Sequence, residues 1–345
     1  MTSPRARQFN GKRNQAPRTR RTNRPAYAAI DLGTNNCRLL VAEPSARGFR
    51  VIDSFSRIVR LGEGVATTGR LSTEAIDRTI EALRICTAKM RRADVIRVRS
   101  VATEACRQAA NCDDFVARAL SETGLDFEVI SPTEEARLAL RSCSPLFDPR
   151  IPGSMVFDIG GGSTEIVCRP DRDAPIRVLS LPLGVVNLSE RYGVDRIAPA
   201  DYERMVGEAS GLLAGFERDE RFLPSVSAGR MQMVGSSGTV TTLTSVHLGL
   251  RRYARSRVDG ATMRFDDLLR IGGMLAGMSR DERAAIACIG AERADLVVGG
   301  VAILEAIVRT WPVGRMRIAD RGLREGILLG LMAQDGHRIG ERAVH

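Results

Sequence analysis

Residues 155–167, MVFDIGGGSTEIV, decide how the rest of the chain is read. An apolar run of strand character ends at Asp158 and breaks into Gly160, Gly161 and Gly162, followed by the hydroxyl residues Ser163 and Thr164. Glycines free to take positive φ let a phosphate approach backbone N–H groups, and the two hydroxyls add donors in the turn. Asp158 suits a hydrated Mg²⁺, which keeps most of its waters and uses few carboxylates. Read alone, the stretch fits a glycine-rich hairpin with an Asp turn residue equally well. A second copy changes the balance: residues 27–40, YAAIDLGTNNCRLL, repeat the apolar strand, Asp31, Gly33, Thr34, Asn35 and a return strand. Asp31 and Asp158 therefore occupy equivalent points of two units.

Strand and helix patterns alternate around these hairpins. Residues 49–56 read as a third strand, and 57–69 as a loop carrying Arg60 and Gly62. Ser72 then caps a helix whose apolar face is Ile76, Ile80, Leu83, Thr87 and Met90. A strand over 95–101, the segment ATEACRQA at 102–109 and a helix over 113–121 ending at Gly124 come next. The strand over 127–130 runs into Ser131, Pro132, Thr133 and Glu134, the pattern of a capping box. Residues 144–154, SPLFDPRIPGS, hold three prolines and no period, and are expected to link a first domain over 26–145 to a second over 152–335. In the second, strands are expected over 176–181, 230–234 and 316–319. Helices are expected over 185–192, 199–216, 240–248, 265–276 and 291–308. A closing helix over 323–332 is expected to pack back onto the first domain. The class is α/β, a mixed or parallel sheet covered by helices.

With 345 residues, 43% of them apolar, the chain can fill two cores. The most apolar run, 296–308, is interrupted by Glu305 and is short for a membrane span, and the N-terminus has no signal-peptide core. Seven cysteines without a CxxC pair read as buried thiols of a reducing compartment, so the expected location is cytoplasmic. The net charge of +10 is concentrated: Arg5, Arg7, Lys12, Arg13, Arg18, Arg20, Arg21 and Arg24 stand in a stretch without acidic residues. This tail, residues 1–25, is expected to be disordered and suited to polyanions, nucleic acid included, although a solvated extension accounts for it as well. A shorter tail is expected over 336–345.

A third turn has the same form: Gly235, Ser236, Ser237, Gly238 and Thr239 follow a strand and open a helix, whose free N–H groups favour an anion. Together the three turns suggest a phosphate chain held between two domains, without a Walker A loop. His247, His337 and His345 show no ligand spacing, so a general base should be a carboxylate. Glu134 and Glu135 are adjacent and point about 100° apart on a helix. If Glu134 closes the capping box, Glu135 is left to orient a water; the alternative is two solvated glutamates near a helix dipole.

DLGTNN, ATEACRQA, ISPTEEARLA, FDIGGGSTEIV, VGSSGTV, ERADLVVGGVAILEAI and DRGLREGIL, in this order within residues 28–328, resemble the exopolyphosphatase and guanosine pentaphosphate phosphohydrolase family. That family belongs to the actin-like, sugar kinase and Hsp70 superfamily. The resemblance implies two RNase H-like domains with the active site in the cleft between them, and a short form lacking the HD-type C-terminal domain of longer members. It implies Glu135 as the catalytic glutamate, Asp158 as a metal-associated carboxylate and Asp31 in the first phosphate loop. It further implicates Arg107 as a substrate-phosphate contact, together with Ser163 and Glu165. Mg²⁺ or Mn²⁺, held on the side of Asp158, Asp31 and Glu165, would be the cofactor. Inorganic polyphosphate is the expected substrate, guanosine pentaphosphate (pppGpp) the alternative, and a homodimer an allowed assembly. From another class, an actin-like nucleotide-binding kinase or sensor remains open. Two positions depart from the family pattern: Thr34 and Asn36 stand where Ser is common, and Arg321 where Gly is frequent, which is expected to alter a flexible turn.

Overall fold

The structure, a computed structural model, describes residues 7–8, 24–45 and 48–337. Apart from Arg7 and Gln8 and the residues next to the fold, both expected tails lie outside the described residues. The chain forms two compact units, Met1–Ser131 with Leu323–His345, and Pro132–Gly322.

The first unit runs β1 (Arg7–Gln8), β2 (Ala26–Leu32), β3 (Asn36–Ser45), β4 (Gly48–Ile58), α1 (Val65–Thr68), α2 (Thr73–Arg92), β5 (Val95–Ala102), α3 (Glu104–Gln108), α4 (Cys112–Thr123) and β6 (Phe127–Val129). Its sheet has the order β1-β5-β2-β3-β4, with β6 also on β5. The strands β2, β3 and β4 form an antiparallel meander, while β2, β5 and β6 are parallel. Helix α2 starts where Ser72 accepts a hydrogen bond from Ala75 N (3.2 Å) and buries the expected stripe, including Ile80 and Leu83, in the core. Gly124, left-handed at φ 74°, ends α4 as anticipated.

The second unit runs α5 (Pro132–Cys143), a 3-10 turn (Ser144–Leu146), β7 (Gly153–Ile159), β8 (Thr164–Arg169), β9 (Arg177–Leu181), α6 (Val185–Tyr192), α7 (Pro199–Glu220), α8 (Leu223–Ser227) and β10 (Met231–Ser236). It continues with α9 (Gly238–His247), α10 (Arg255–Val258), β11 (Thr262–Arg264), α11 (Phe265–Gly277), α12 (Arg280–Ala285), α13 (Ala291–Ala294), α14 (Val297–Thr310) and β12 (Arg315–Ala319). Sheet order is β11-β12-β10-β7-β8-β9. The meander β7-β8-β9 with parallel β10 and β12 repeats the meander β2-β3-β4 with parallel β5 and β6. The α/β expectation and the duplication therefore both hold.

Two expectations are corrected by packing, the boundary between the units and the single helix over 291–308, while the closing helix packs where it was expected. The division between units falls at Ser131/Pro132, not in the proline-rich stretch 144–154, because Ala136, Leu140 and Cys143 of α5 bury themselves against Val156, Val167 and Val234. The last helix, α15 (Leu323–Gln334), correspondingly packs on β2, β3 and β5 of the first unit. The helix expected over 291–308 is broken between α13 and α14. There Arg283 Nε donates to Ala294 O (3.0 Å) and Ser189 Oγ to Asp295 O (3.0 Å), so tertiary donors take carbonyls a continuous helix would have used. No helix among the described residues is long and apolar enough to cross a membrane.

Candidate active site

The second sheet carries a polar row in strict register. Ser180 on β9 lies opposite Glu165 on β8, Glu165 opposite Asp158 on β7, and Asp158 opposite Ser236 on β10. Directly opposed residues share a face, and so do residues two apart on one strand. Val178, Val167, Val156 and Val234, each two positions from a member of the row, pack against α5. The row therefore lies on the α5 side of the sheet. Glu134 and Glu135 occupy the first turn of that helix, both half-buried.

Glu165 is 3% exposed and accepts a hydrogen bond from Ser180 Oγ (3.1 Å). Two neighbouring carboxylates, one buried, with a hydroxyl on either side suit a hydrated Mg²⁺, which needs only one or two carboxylates and takes its other oxygens from water and phosphate. Asp31 has different surroundings. Its register partner is Arg38, and burial drives its carboxyl above the ordinary range, opposed by the Arg38 and Arg324 guanidinium groups and reinforced by Glu325. The same surroundings supply positive charge as well as the carboxyl.

The three glycines are held by α6. Val185 N donates to Gly160 O (3.0 Å), Val186 N to Gly161 O (2.7 Å), and Asn187 Nδ2 to Gly162 O (3.1 Å). In a planar trans peptide the N–H points opposite to the C=O. Capturing these carbonyls on one side thus turns the N–H groups of Gly161, Gly162 and Ser163 to the other, where they meet no acceptor among the described residues. Backbone N–H groups turned out together in this way are the kind of group that can form an anion nest. The close approach demands glycine at 184, where a Cβ would stand 2.4 Å from Gly161 O. The expected reason for the glycines is corrected, because Gly160 and Gly33 do not have left-handed φ; at Gly160 a Cβ would meet Ser163 O at 2.9 Å. The Thr164 hydroxyl is spent elsewhere, donating to Leu183 O (2.7 Å) from a fully buried position, which leaves Ser163 as the hydroxyl of the turn.

In the third turn the left-handed residue is not a glycine. Ser237, at φ 95°, stands at the N-cap of α9 without capping it, and its buried Oγ has no hydrogen-bond partner. Such strain costs on the order of 1–3 kcal/mol and gathers at ligand sites. Ser236 Oγ donates to Arg321 O (2.6 Å), and a Cβ on Gly322 would lie 3.7 Å from Asp158 Oδ2. Gly235 is required by Phe157, whose Cζ would be 2.7 Å from a Cβ, and Thr239 lies under Gly300 of α14. Arg321 does not loosen its turn. It forms a two-atom ion pair with Asp259 (2.7 Å).

In the first unit the loop after β2 uses the same device: Gly62 N donates to Thr34 O (2.9 Å), and Val59 N and Arg60 N to Asn35 O. A Cβ on Gly62 would sit 2.3 Å from Thr34 Cγ2. Arg107 is already committed, through Nε (2.8 Å) and NH2 (2.6 Å) to Glu104 and through NH1 to Ile130 O (2.9 Å), so a phosphate there competes with a carboxylate. Arg38, Ser180, Asn187 and the Arg321–Asp259 pair escaped sequence reading. Arg38 carried a signal, since Asp31/Arg38 and Asp158/Glu165 pair at the same separation across equal hairpins.

Two duplicated mixed sheets, each with an Asp at the end of its first hairpin strand and a loop whose carbonyls are tied back, define a phosphate-handling protein of the actin-like, RNase H-like class. The chain belongs to the Ppx/GppA phosphatase family, whose pattern matches residues 40–335. It is 33% identical over 321 residues to exopolyphosphatase 2 of Mycobacterium tuberculosis, covering 88% of this chain and 98% of that protein. It is 30% identical over 315 residues to a guanosine-5'-triphosphate,3'-diphosphate pyrophosphatase of Aeromonas hydrophila, covering 91% of this chain but 60% of that longer protein. Among solved structures, an exopolyphosphatase of Cytophaga hutchinsonii superposes with a TM-score of 0.80 at 26% identity, covering 92% of this chain and 100% of that one. The Aquifex aeolicus Ppx/GppA family member gives 0.73 at 28%, covering 91% and 99%.

Proposed function

We propose that this protein hydrolyses the terminal phosphoanhydride of inorganic polyphosphate, releasing orthophosphate. The observation that carries the proposal is the conjunction, in one unit, of the Ser180–Glu165–Asp158–Ser236 row with the outward N–H groups of Gly161, Gly162 and Ser163. The similarity to exopolyphosphatase 2, over nearly its whole length, supports the same substrate. In the proposed reaction a water oxygen attacks the terminal phosphorus, the bridging P–O bond breaks, and the water proton passes to the Glu135 carboxylate. The glycine N–H groups, Ser163 and Ser237 hold the phosphate oxygens as charge moves onto the leaving chain. Asp158 and Glu165 would hold Mg²⁺, which when bound supplies charge neutralisation at the phosphate. In the first unit, the loop of Gly33, Thr34 and Asn35 with Arg38 handles further phosphate, and Arg107 does so only after release from Glu104.

Internal duplication supports a glutamate in the first turn of α5, where Glu134 and Glu135 stand. The helix covering the Asp31 face, α15, brings Arg324 and Glu325 in its first turn into the field of Asp31. By the same construction, the first turn of α5 serves the Asp158 face. Seven buried free thiols fit a reducing cytoplasm. Hydrolysis of pppGpp is the second reading, favoured by the Aeromonas relative. Phosphate release from polyphosphate, pppGpp and ATP, each without an acceptor, is the test. Release from polyphosphate is expected to dominate; release only when an acceptor is added would point to a kinase and overturn the proposal.

A further inference from the structure

We infer that the Arg321–Asp259 ion pair is a positioning device for the Asp158 side of the site; the inference rests on the metal and phosphate reading above. The turn 320–322 is gripped twice. Arg255 donates to Asp320 O (2.7 Å) and pairs with its carboxylate (3.3 Å). Arg321 uses Nε and NH2 to hold both oxygens of Asp259, whose Oδ1 also accepts from Asp320 N (3.1 Å). The two side chains are 28% and 15% exposed, so the fork is partly withdrawn from water, where charge-assisted paired bonds gain strength and geometric precision.

Asp259 is itself immobilised. Its N–H donates to Arg255 O (2.8 Å), and its neighbours lace onto β12 through Gly260 N to Ile318 O (2.8 Å) and Ile318 N to Ala261 O (2.9 Å). The pair thereby fixes the Arg321 carbonyl. That carbonyl is the acceptor of the Ser236 hydroxyl, and the next residue, Gly322, closes on Asp158 Oδ2 and Ser236 Oγ at 3.7 and 3.9 Å from its Cβ position. Neither Arg321 nor Asp259 belongs to the polar row. They set the rotamer of one member and the wall beside another.

The test is a cycle of Arg321→Gln, Asp259→Asn and the double variant, followed by thermal melts, calorimetric titration with Mg²⁺, and kcat and KM on polyphosphate. Each single change is expected to weaken Mg²⁺ binding and lower kcat about 10-fold, the usual effect of removing a group that orients a ligand-bearing side chain, with KM changed less than about 2-fold. The double variant should be no worse than the poorer single one, since both break one device. If Arg321→Gln does not fold, Arg321→Lys, which keeps the charge and loses the fork, is expected to show a smaller shift of the same sign. Lower melting temperature with unchanged Mg²⁺ binding and kcat, or additive losses, would overturn the inference, as would wild-type protein that binds no Mg²⁺. Wild type that binds Mg²⁺ but cleaves neither polyphosphate nor pppGpp would instead sink the functional reading. Calorimetry on the variants would then still decide the positioning role.

Discussion

Glu134 and Glu135 are separated by one peptide bond and share the first turn of α5, and at about 100° per residue Glu135 stands nearer than Glu134 to the face of Ala136 and Leu140, which lies against the sheet. Replacing the proposed proton acceptor, Glu135→Gln, is expected to lower kcat by roughly 10² to 10⁴ while binding persists, the span for losing a general base. Glu134→Gln is expected to cost little activity and about 1 kcal/mol or less of stability. Steady-state kinetics and melts of both proteins check this, and the reverse pattern would exchange the roles. Asp31 gives a different expectation. Its carboxyl is pushed above its ordinary value of 3.8, chiefly by burial. A raised folded-state value means the native protein holds the proton more tightly than the unfolded chain, so stability falls as pH rises through that window and the penalty persists at neutral pH. Asp31→Asn removes the charge in nearly the same shape. It is expected to impair turnover while the melting temperature at pH 7 stays level or rises, the difference from wild type vanishing below the ordinary carboxylate range. A clear fall in melting temperature at pH 7 would show that Asp31 is a structural turn residue.

The loop–helix cradle of β7 and α6 is an element whose parts must meet at backbone distance. Gly184→Ala places a methyl group against Gly161 O and cannot be relieved by a rotamer change, so a loss of roughly 1–3 kcal/mol is expected, together with a raised KM as the N–H groups of the turn lose their aim. Ser237 tests the opposite case. The left-handed backbone at this position is open to glycine without strain. Ser237→Gly is expected to gain on the order of 1 kcal/mol of stability while losing catalytic efficiency, because the strain holds a hydroxyl where a ligand uses it. Chemical denaturation of both variants beside their kinetics separates the two; a Ser237→Gly protein with unchanged efficiency would assign the strained serine no part in binding.

For the molecule as a whole, charge is placed unevenly. Eight of the ten excess positive charges precede the first phosphate loop, in a stretch rich in Arg and poor in apolar residues. Of that stretch, Arg7 and Gln8 pair with Val98 and Arg97 on β5. Salt dependence of binding to a flexible polyanion grows with the phosphates neutralised, at a log–log slope of about 0.7 per contact on single strands. Deleting residues 1–24 is expected to raise KM for long polyphosphate at low salt and to flatten its salt dependence. Short substrates and kcat should be unaffected, since every proposed site residue lies beyond it. Equal KM for the full and shortened proteins on long polyphosphate at low salt would remove the tail from substrate capture.

The paired Asp-Gly hairpins, the α/β alternation and the glycine turns were legible in the chain because each depends on residues a few positions apart: alternation for the strands, Ser72 and Gly124 for helix ends, and equal hairpin lengths for Asp31 and Asp158. What local spacing could not express was decided by tertiary structure. The strands β6 and β12 each run into a helix; the return of α15 to the first sheet was expected, but only the burial of Ala136, Leu140 and Cys143 against Val156 and Val167 assigned α5 to the second. The glycines of residues 160–162 announced a phosphate loop, but the direction of their N–H groups came from α6, whose donors captured the opposing carbonyls. The ion pair between Asp259 and Arg321 joins residues 62 positions apart, and strand register set Ser180, Glu165, Asp158 and Ser236 side by side. Such contacts exist only when the chain has closed, because their energy comes from desolvated groups meeting across the fold and not from the propensity of any single segment.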